Sequence, residues 1–191
     1  AFDGFVDVYI DLKFSTYFVP SKLTSQDGMD VSLKSFEKVT IDGNVAATIL
    51  GSAAADIIVG DSGADTITGR AGADTLTGGS RADKFIYLPN DTGITEATAD
   101  TITDFSSGSD KIDVQDPGTY VEVDGTANSF ANFLTNAAAS FSGSADDIYS
   151  AYNLNGSGNT YLIVDEDKSG TVTAGDTLII LTGLSTAGGL D

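Results

Sequence analysis

The stretch from Gly51 to Ile86 constrains this chain more than any other part of it. It divides into four consecutive nine-residue units, GSAAADIIV, GDSGADTIT, GRAGADTLT and GGSRADKFI. Each unit opens on Gly, carries Asp at its sixth position and a large apolar residue at its eighth. The Asp series is Asp56, Asp65, Asp74 and Asp83; the apolar series is Ile58, Ile67, Leu76 and Phe85. A degenerate unit precedes them over residues 42–50, with Ile49 in phase and Ala47 in the place of the Asp. A short fixed period of this kind belongs to a chain that coils and stacks on itself.

The unit's chemistry says how. Gly at the turn positions lets the chain reverse within six residues. The remaining three, such as Thr66-Ile67-Thr68, make a short strand whose central side chain points inward. Two units complete one coil, so units two apart stack. That sets Asp56 beside Asp74 and Asp65 beside Asp83, and stacked carboxylates repel. A hard dication relieves the repulsion. Ca²⁺ takes about six to eight oxygens from carboxylates and backbone carbonyls, and Gly51, Gly60, Gly63, Gly72 and Gly79 leave the turn carbonyls free to be aimed. Departures from the pattern limit the count. Ala54 and Arg81 replace Gly at the fourth position, and Asp61 and Arg70 stand at the second. Two well-formed sites are expected, with partial or no sites at the ends. The interior ladder is thin, so folding is expected to depend on calcium. A metal-free solenoid with Asp serving its turns is the alternative.

Charge and composition agree with a cation collector. The 191 residues carry 28 acidic and 9 basic side chains, a net charge of −19. Nucleic acid and anionic membrane surfaces would repel such a chain. Hydrophobic content of 41% separates it from a disordered acidic tail. There is no Cys and no His, no apolar run long enough to span a membrane, and no HExxH or GxSxG. No zinc-protease or Ser-His-Asp site can be assembled from these residues. The chain opens on Ala1-Phe2 without Met and reads as a piece of a longer polypeptide or a processed one.

Around the repeats the chain reads as mainly β. Residues 1–14 alternate as a half-buried strand, residues 15–28 form a loop, and residues 30–33 and 36–41 are two short strands. These residues, 1–41, are either irregular first coils of the same roll or a small separate β-cap. The roll proper runs over 42–88. Residues 89–191 form a β-rich cap: strands at 101–105 and 111–114, a turn at 116–118, a strand at 120–123, and a hairpin of 147–154 with 160–164 through Asn155-Gly156. The one helix spans 128–141, with Asn128 or Ser129 as N-cap and Phe130, Phe133, Leu134, Ala137, Ala138 and Phe141 on its core face. Asp100, Asp104 and Asp113 are either a further calcium site or turn and capping residues.

A second constellation lies at residues 165–176. Asp165, Asp167, Ser169 and Asp176 fall at positions 1, 3, 5 and 12 of an EF-hand-like spacing, with Gly170 at 6 and the Thr171 carbonyl at 7. The flanks are strand-like, and Asp at the last position reaches less far than Glu. The segment is either a calcium loop or a polar strand-loop-strand connection.

GRAGADTLTGGSRADKFIY, followed by DTITDFSSGSDKIDV, resembles the C-terminal calcium-binding domain of serralysin-type secreted proteases. It is similar also to the RTX ends of bacterial adhesins, S-layer proteins, lipases and alginate epimerase modules. The close match runs from about Gly51 to Val114, and IDGNVAATILGSAAADIIVG looks like the degenerate first coils of these families. The resemblance implies a parallel β-roll, Ca²⁺ as cofactor, export by type I secretion machinery, folding outside the cell, and a secreted, extracellular or cell-surface location. It further implies either a surface protein that grips other copies of itself or a cell-surface ligand, or the tail of a secreted protease or lipase.

Overall fold

A computed structural model describes residues 7–11, 29–32, 38–42, 46–114, 122–125, 127–143, 148–151 and 158–184. The strands, in chain order, are β1 (Asp7–Asp11), β2 (Met29–Ser32), β3 (Lys38–Asp42), β4 (Ala47–Leu50), β5 (Ile57–Asp61), β6 (Thr66–Thr68), β7 (Thr75–Gly79), β8 (Lys84–Tyr87), β9 (Asp100–Ile102), β10 (Lys111–Val114) and β11 (Glu122–Gly125). The helix α1 (Phe130–Ser140) follows, then β12 (Ile148–Ala151), β13 (Asn159–Val164) and β14 (Thr177–Thr182). The expected loop over 15–28 and the turns at 116–118 and 155–156 lie outside the described residues.

Successive strands alternate between two sheets, as a two-unit coil requires. One sheet has the order β10-β8-β6-β4-β2 and the other runs β1-β3-β5-β7-β9. Every neighbouring pair in these two runs is parallel. The register keeps the repeat in phase. Ile58 pairs with Leu76 and Leu76 with Ile102; Ile49 pairs with Ile67, Ile67 with Phe85, and Phe85 with Ile112. Ile49, Ile58, Ile67, Phe85 and Ile102 have no exposed surface. They form one core between the sheets, joined by Tyr87 and Phe105. The fold is therefore the mainly-β parallel roll expected from the repeat.

The larger sheet continues from β9 into β14-β13-β12-β11. β14 lies parallel to β9, then antiparallel to β13, which is antiparallel to β12. The runs YLIV and LIIL in β13 and β14 lack polar alternation because both faces are covered. Leu162, Ile179 and Leu181 join the roll's core. Tyr161, Ile163, Leu178 and Ile180 join a second core beneath α1.

The helix forms where its face predicts. Ser129 is the N-cap, and its hydroxyl accepts the Asn132 N–H. Phe133 and Ala137 are fully buried, while Phe130 and Leu134 pack against the same cluster. The Phe133 ring lies 5.5 Å from that of Tyr149 and 5.8 Å from that of Tyr161, centroid to centroid. Bounds shift by a few residues from the sequence reading: the strand expected at 101–105 is Asp100–Ile102, the helix expected over 128–141 is Phe130–Ser140, and of the strand expected at 120–123 the described part lies in Glu122–Gly125.

Phe133→Ala removes the ring that anchors α1 to β12 and β13. A loss of about 3–5 kcal/mol in unfolding free energy is expected from denaturant melts.

Candidate metal centre

The repeat Asp residues sit where each turn gives way to a strand, and every one is nearly inaccessible: Asp56, Asp65, Asp74 and Asp83 are 1–3% exposed. The coils bring together the pairs that the nine-residue period predicts. Asp74 Oδ1 accepts the backbone N–H of Asp56 at 2.8 Å, and Asp83 Oδ1 accepts that of Asp65 at 2.8 Å. The main chain completes the same step. The carbonyl of Asp56 accepts the Thr75 N–H and the carbonyl of Asp65 accepts the Lys84 N–H, both at 2.8 Å. Each carboxylate thus extends the sheet's ladder one position beyond the strand.

The stacks run further than the four units. Asp100 Oδ1 accepts the Asp74 N–H at 2.8 Å, and Asp110 Oδ1 accepts the Asp83 N–H at 3.0 Å. At the other end Asp65 Oδ1 accepts the Ala47 N–H, which shows why Ala suffices there: only its backbone is used. One stack is Asp56-Asp74-Asp100 and the other Asp65-Asp83-Asp110. Asp100 and Asp110 were absent from the expected ligand pairs because an enlarged turn intervenes. The steps to them are 26 and 27 residues instead of 18. The usable signal was Asp-x-apolar, present as Asp100-Thr101-Ile102 and Asp110-Lys111-Ile112. Asp100, Asp104 and Asp113 do not converge as a group. Asp104 accepts the N–H groups of Gly78 and Gly79 at 2.9 and 2.8 Å, and Asp113 pairs with Lys84.

The second carboxylate oxygen of each Asp turns back over the Gly that opens its own unit. Oδ2 of Asp65 would crowd a Cβ at Gly60, and the Gly78 carbonyl of the next coil closes the same space. Gly51 is confined in the same way by Asp56 and the Gly69 carbonyl. These positions admit no side chain. Gly72 faces the Ala54 carbonyl and Gly79 the Asp61 carbonyl, while Gly63 is buried in its turn. Arg70 and Arg81 take φ of 70° and 83°, a region that suits Gly better.

The electrostatics of these stacks are unfavourable for free carboxylates. The Oδ2 atoms of Asp74, Asp83 and Asp100 are buried with no hydrogen-bond partner. Such an orphan costs about 1–3 kcal/mol, more when charged. Burial raises Asp74 to about 7, with Asp56 and Asp91 adding repulsion. Burial raises Asp100 to about 8, with Asp74 and Asp91 adding to it, and Asp83 to about 6, with Asp65 and Asp110 close by. Tyr87, fully buried against Asp100 and Asp74, is pushed well above its ordinary value. Orphaned oxygens in a cradle of backbone and glycine fit a hard cation bound through carboxylate and carbonyl oxygen.

The second constellation is the loop of the β13–β14 hairpin. Asp165, Asp167 and Asp176 each place one carboxylate oxygen within 4.8 Å of the others. Asp165 accepts the N–H groups of Ser169 and Gly170 at 3.0 and 2.9 Å. Asp167 accepts the Thr173 hydroxyl at 2.6 Å, which lowers its pKa. Burial raises Asp165, and burial with three neighbouring acids raises Asp176 to about 7. The Ser169 hydroxyl donates to the Thr171 carbonyl at 2.8 Å.

Residues 13–188 match the family described as Peptidase M10 serralysin C terminal, and the chain belongs to that family. Domains of this family are RTX-type, calcium-binding and found in secreted extracellular proteins, where they form the non-catalytic C-terminal part of serralysin-type proteins. No match is found among curated proteins.

The raised carboxylates give a pH dependence with a definite sign. Their folded-state pKa values lie above the ordinary 3.8, so the folded chain holds protons that the unfolded chain has released. That contribution is complete below about pH 4 and is lost as pH rises through about 6 to 8. Metal-free protein is therefore expected to hold more strand signal by circular dichroism at pH 5 than at pH 8. A metal-free strand signal that rises with pH over this range would contradict the assignment.

Proposed function

We propose that the chain is a calcium-binding RTX module that folds on Ca²⁺ after type I secretion. It serves as the C-terminal folding, export and attachment part of a secreted bacterial surface protein, of adhesin or S-layer type. The observation that carries the calcium reading is the pair of carboxylate stacks whose buried Oδ2 atoms on Asp74, Asp83 and Asp100 lack a partner. Asp56 with Asp74 and Asp65 with Asp83 would hold the ions, with Asp100 and Asp110 extending each stack. Carbonyls of the turns at Gly51, Gly60, Gly63, Gly72 and Gly79 would complete the oxygen shells. The bound ion supplies the positive charge that the stacks lack. The chain's residues supply the coil that exists only when those charges are balanced.

In this organisation residues 1–41 are irregular first coils, 42–88 the roll and 89–191 the cap, with β9 and β10 prolonging the roll's two sheets. Low external affinity suits export. A half-saturation of about 10⁻⁴–10⁻³ M, as in extracellular modules, leaves the chain unfolded where calcium is scarce. The strongly acidic chain supports action in the surrounding medium or on a surface. A second reading is favoured by the family match: the same module as the non-catalytic tail of a secreted protease or lipase. A zinc-binding HExxH helix in the same polypeptide would decide for the second; tandem adhesin-like domains would decide for the first.

Asp74→Ala removes the carboxylate that accepts the Asp56 N–H and stands between Asp56 and Asp100 in one stack. The calcium midpoint of folding, followed by tyrosine fluorescence, is expected to rise several-fold. An unchanged midpoint would show that the Asp56-Asp74-Asp100 stack does not hold the ion.

A further inference from the structure

We propose that the loop closing the β13–β14 hairpin is a calcium site of its own, built from Asp165, Asp167, Ser169, Thr171 and Asp176 and separate from the roll. The register makes the first point. Val164 pairs with Thr177 at the mouth of the hairpin, so the next residues outward, Asp165 and Asp176, stand opposite each other. Both are fully buried. Like charges at directly opposed strand positions destabilise a sheet, and these two sit at the end of its most apolar strands.

The second point is an unsatisfied atom. Oδ1 of Asp176 is buried and has no hydrogen-bond partner, while its Oδ2 is held by the Thr173 N–H at 2.6 Å. Its carboxylate shares the cluster with those of Asp165 and Asp167, one oxygen from each within 4.8 Å of the others. Three carboxylates converge, and the deepest keeps an oxygen that the protein does not use.

The backbone supplies the third. Lys168 and Gly170 have φ of 56° and 71°, which folds the loop inward so that Ser169 and Gly170 donate to Asp165. The Asp165 side chain is thereby fixed before any ion arrives. The Ser169 hydroxyl donates to the Thr171 carbonyl at 2.8 Å, and the Ser169 N–H bonds Asp165 and Asp167 at 3.0 Å, so two neutral oxygens lie on the same short loop as the three carboxylates. A hard cation that accepts six or more oxygens in a tolerant geometry matches this set; Mg²⁺, which demands near-ideal octahedral geometry, matches it less well. Positions 1, 3 and 12 of the sequence spacing are thus brought together in space, with two strands in the place of two helices.

The site would clamp the hairpin whose β14 joins the roll's larger sheet to the cap. Ala174 of the loop lines a surface cleft together with Gly72, Ala73, Asp91 and Thr92, next to the turn that carries Asp74. Loop and roll sites must therefore be separated by variants. Calcium titration calorimetry on the full 191-residue chain does this with Asp167→Ala, which alters an exposed ligand, and Asp176→Asn, which alters a buried one. Each is expected to bind one calcium fewer than the wild type, whereas Asp74→Ala keeps the loop's ion. The Gly170 amide resonance should shift on calcium addition in the wild type and stay still in Asp167→Ala. Wild-type stoichiometry and affinity in Asp167→Ala would overturn the proposal. Should Asp176→Asn fail to fold, Asp167→Ala decides alone.

Discussion

The hydrogen bond from the backbone N–H of one Asp to the Oδ1 of the Asp one coil later is what the rest of this structure hangs on. It appears from Asp56 to Asp74 and from Asp65 to Asp83, and continues to Asp100 and Asp110. It fixes the coil height and the parallel register that aligns Ile49, Ile67 and Phe85, and Ile58, Leu76 and Ile102. It also determines the difficulty. Holding Oδ1 in the ladder leaves Oδ2 of each repeat Asp against a glycine, and the Oδ2 atoms of Asp74, Asp83 and Asp100 have no partner. The bond that builds the roll thus creates the charge that opposes it. Neutralisation by protons or by a dication would relieve that charge.

The same logic explains the glycines. The Gly opening each unit is commonly thought of as a turn residue. At Gly51 and Gly60 the requirement is space: the Asp carboxylate and the next coil's carbonyl both occupy the volume of a Cβ. Carboxylate and glycine are one device, which is why they recur together.

Much of this was readable in the sequence, for identifiable reasons. A nine-residue period with Asp two before an apolar residue leaves one stacking register, so the Asp pairs and the inward ladder followed directly. The helix was readable because Phe133 and Ala137 sit on an apolar face and Ser129 is a good cap. Asp100 and Asp110 were harder, since enlarged turns change the spacing while keeping the Asp-x-apolar phase. The joining of β14 to β9, and the parallel pairing of β11 with β12, rest on long-range packing that no local pattern announces. The solid runs in β13 and β14 did not disclose that each strand serves two cores. The 165–176 loop showed its ligand spacing, but not that strand register sets Asp165 against Asp176.

The proposed central claim, that at neutral pH the acidic stacks leave the roll folded only when a divalent cation balances them, is met most directly by far-ultraviolet circular dichroism at pH 7.5. Strand signal should be largely absent in excess chelator and rise cooperatively as calcium is added. A full strand signal in excess chelator, unchanged by calcium, would contradict it.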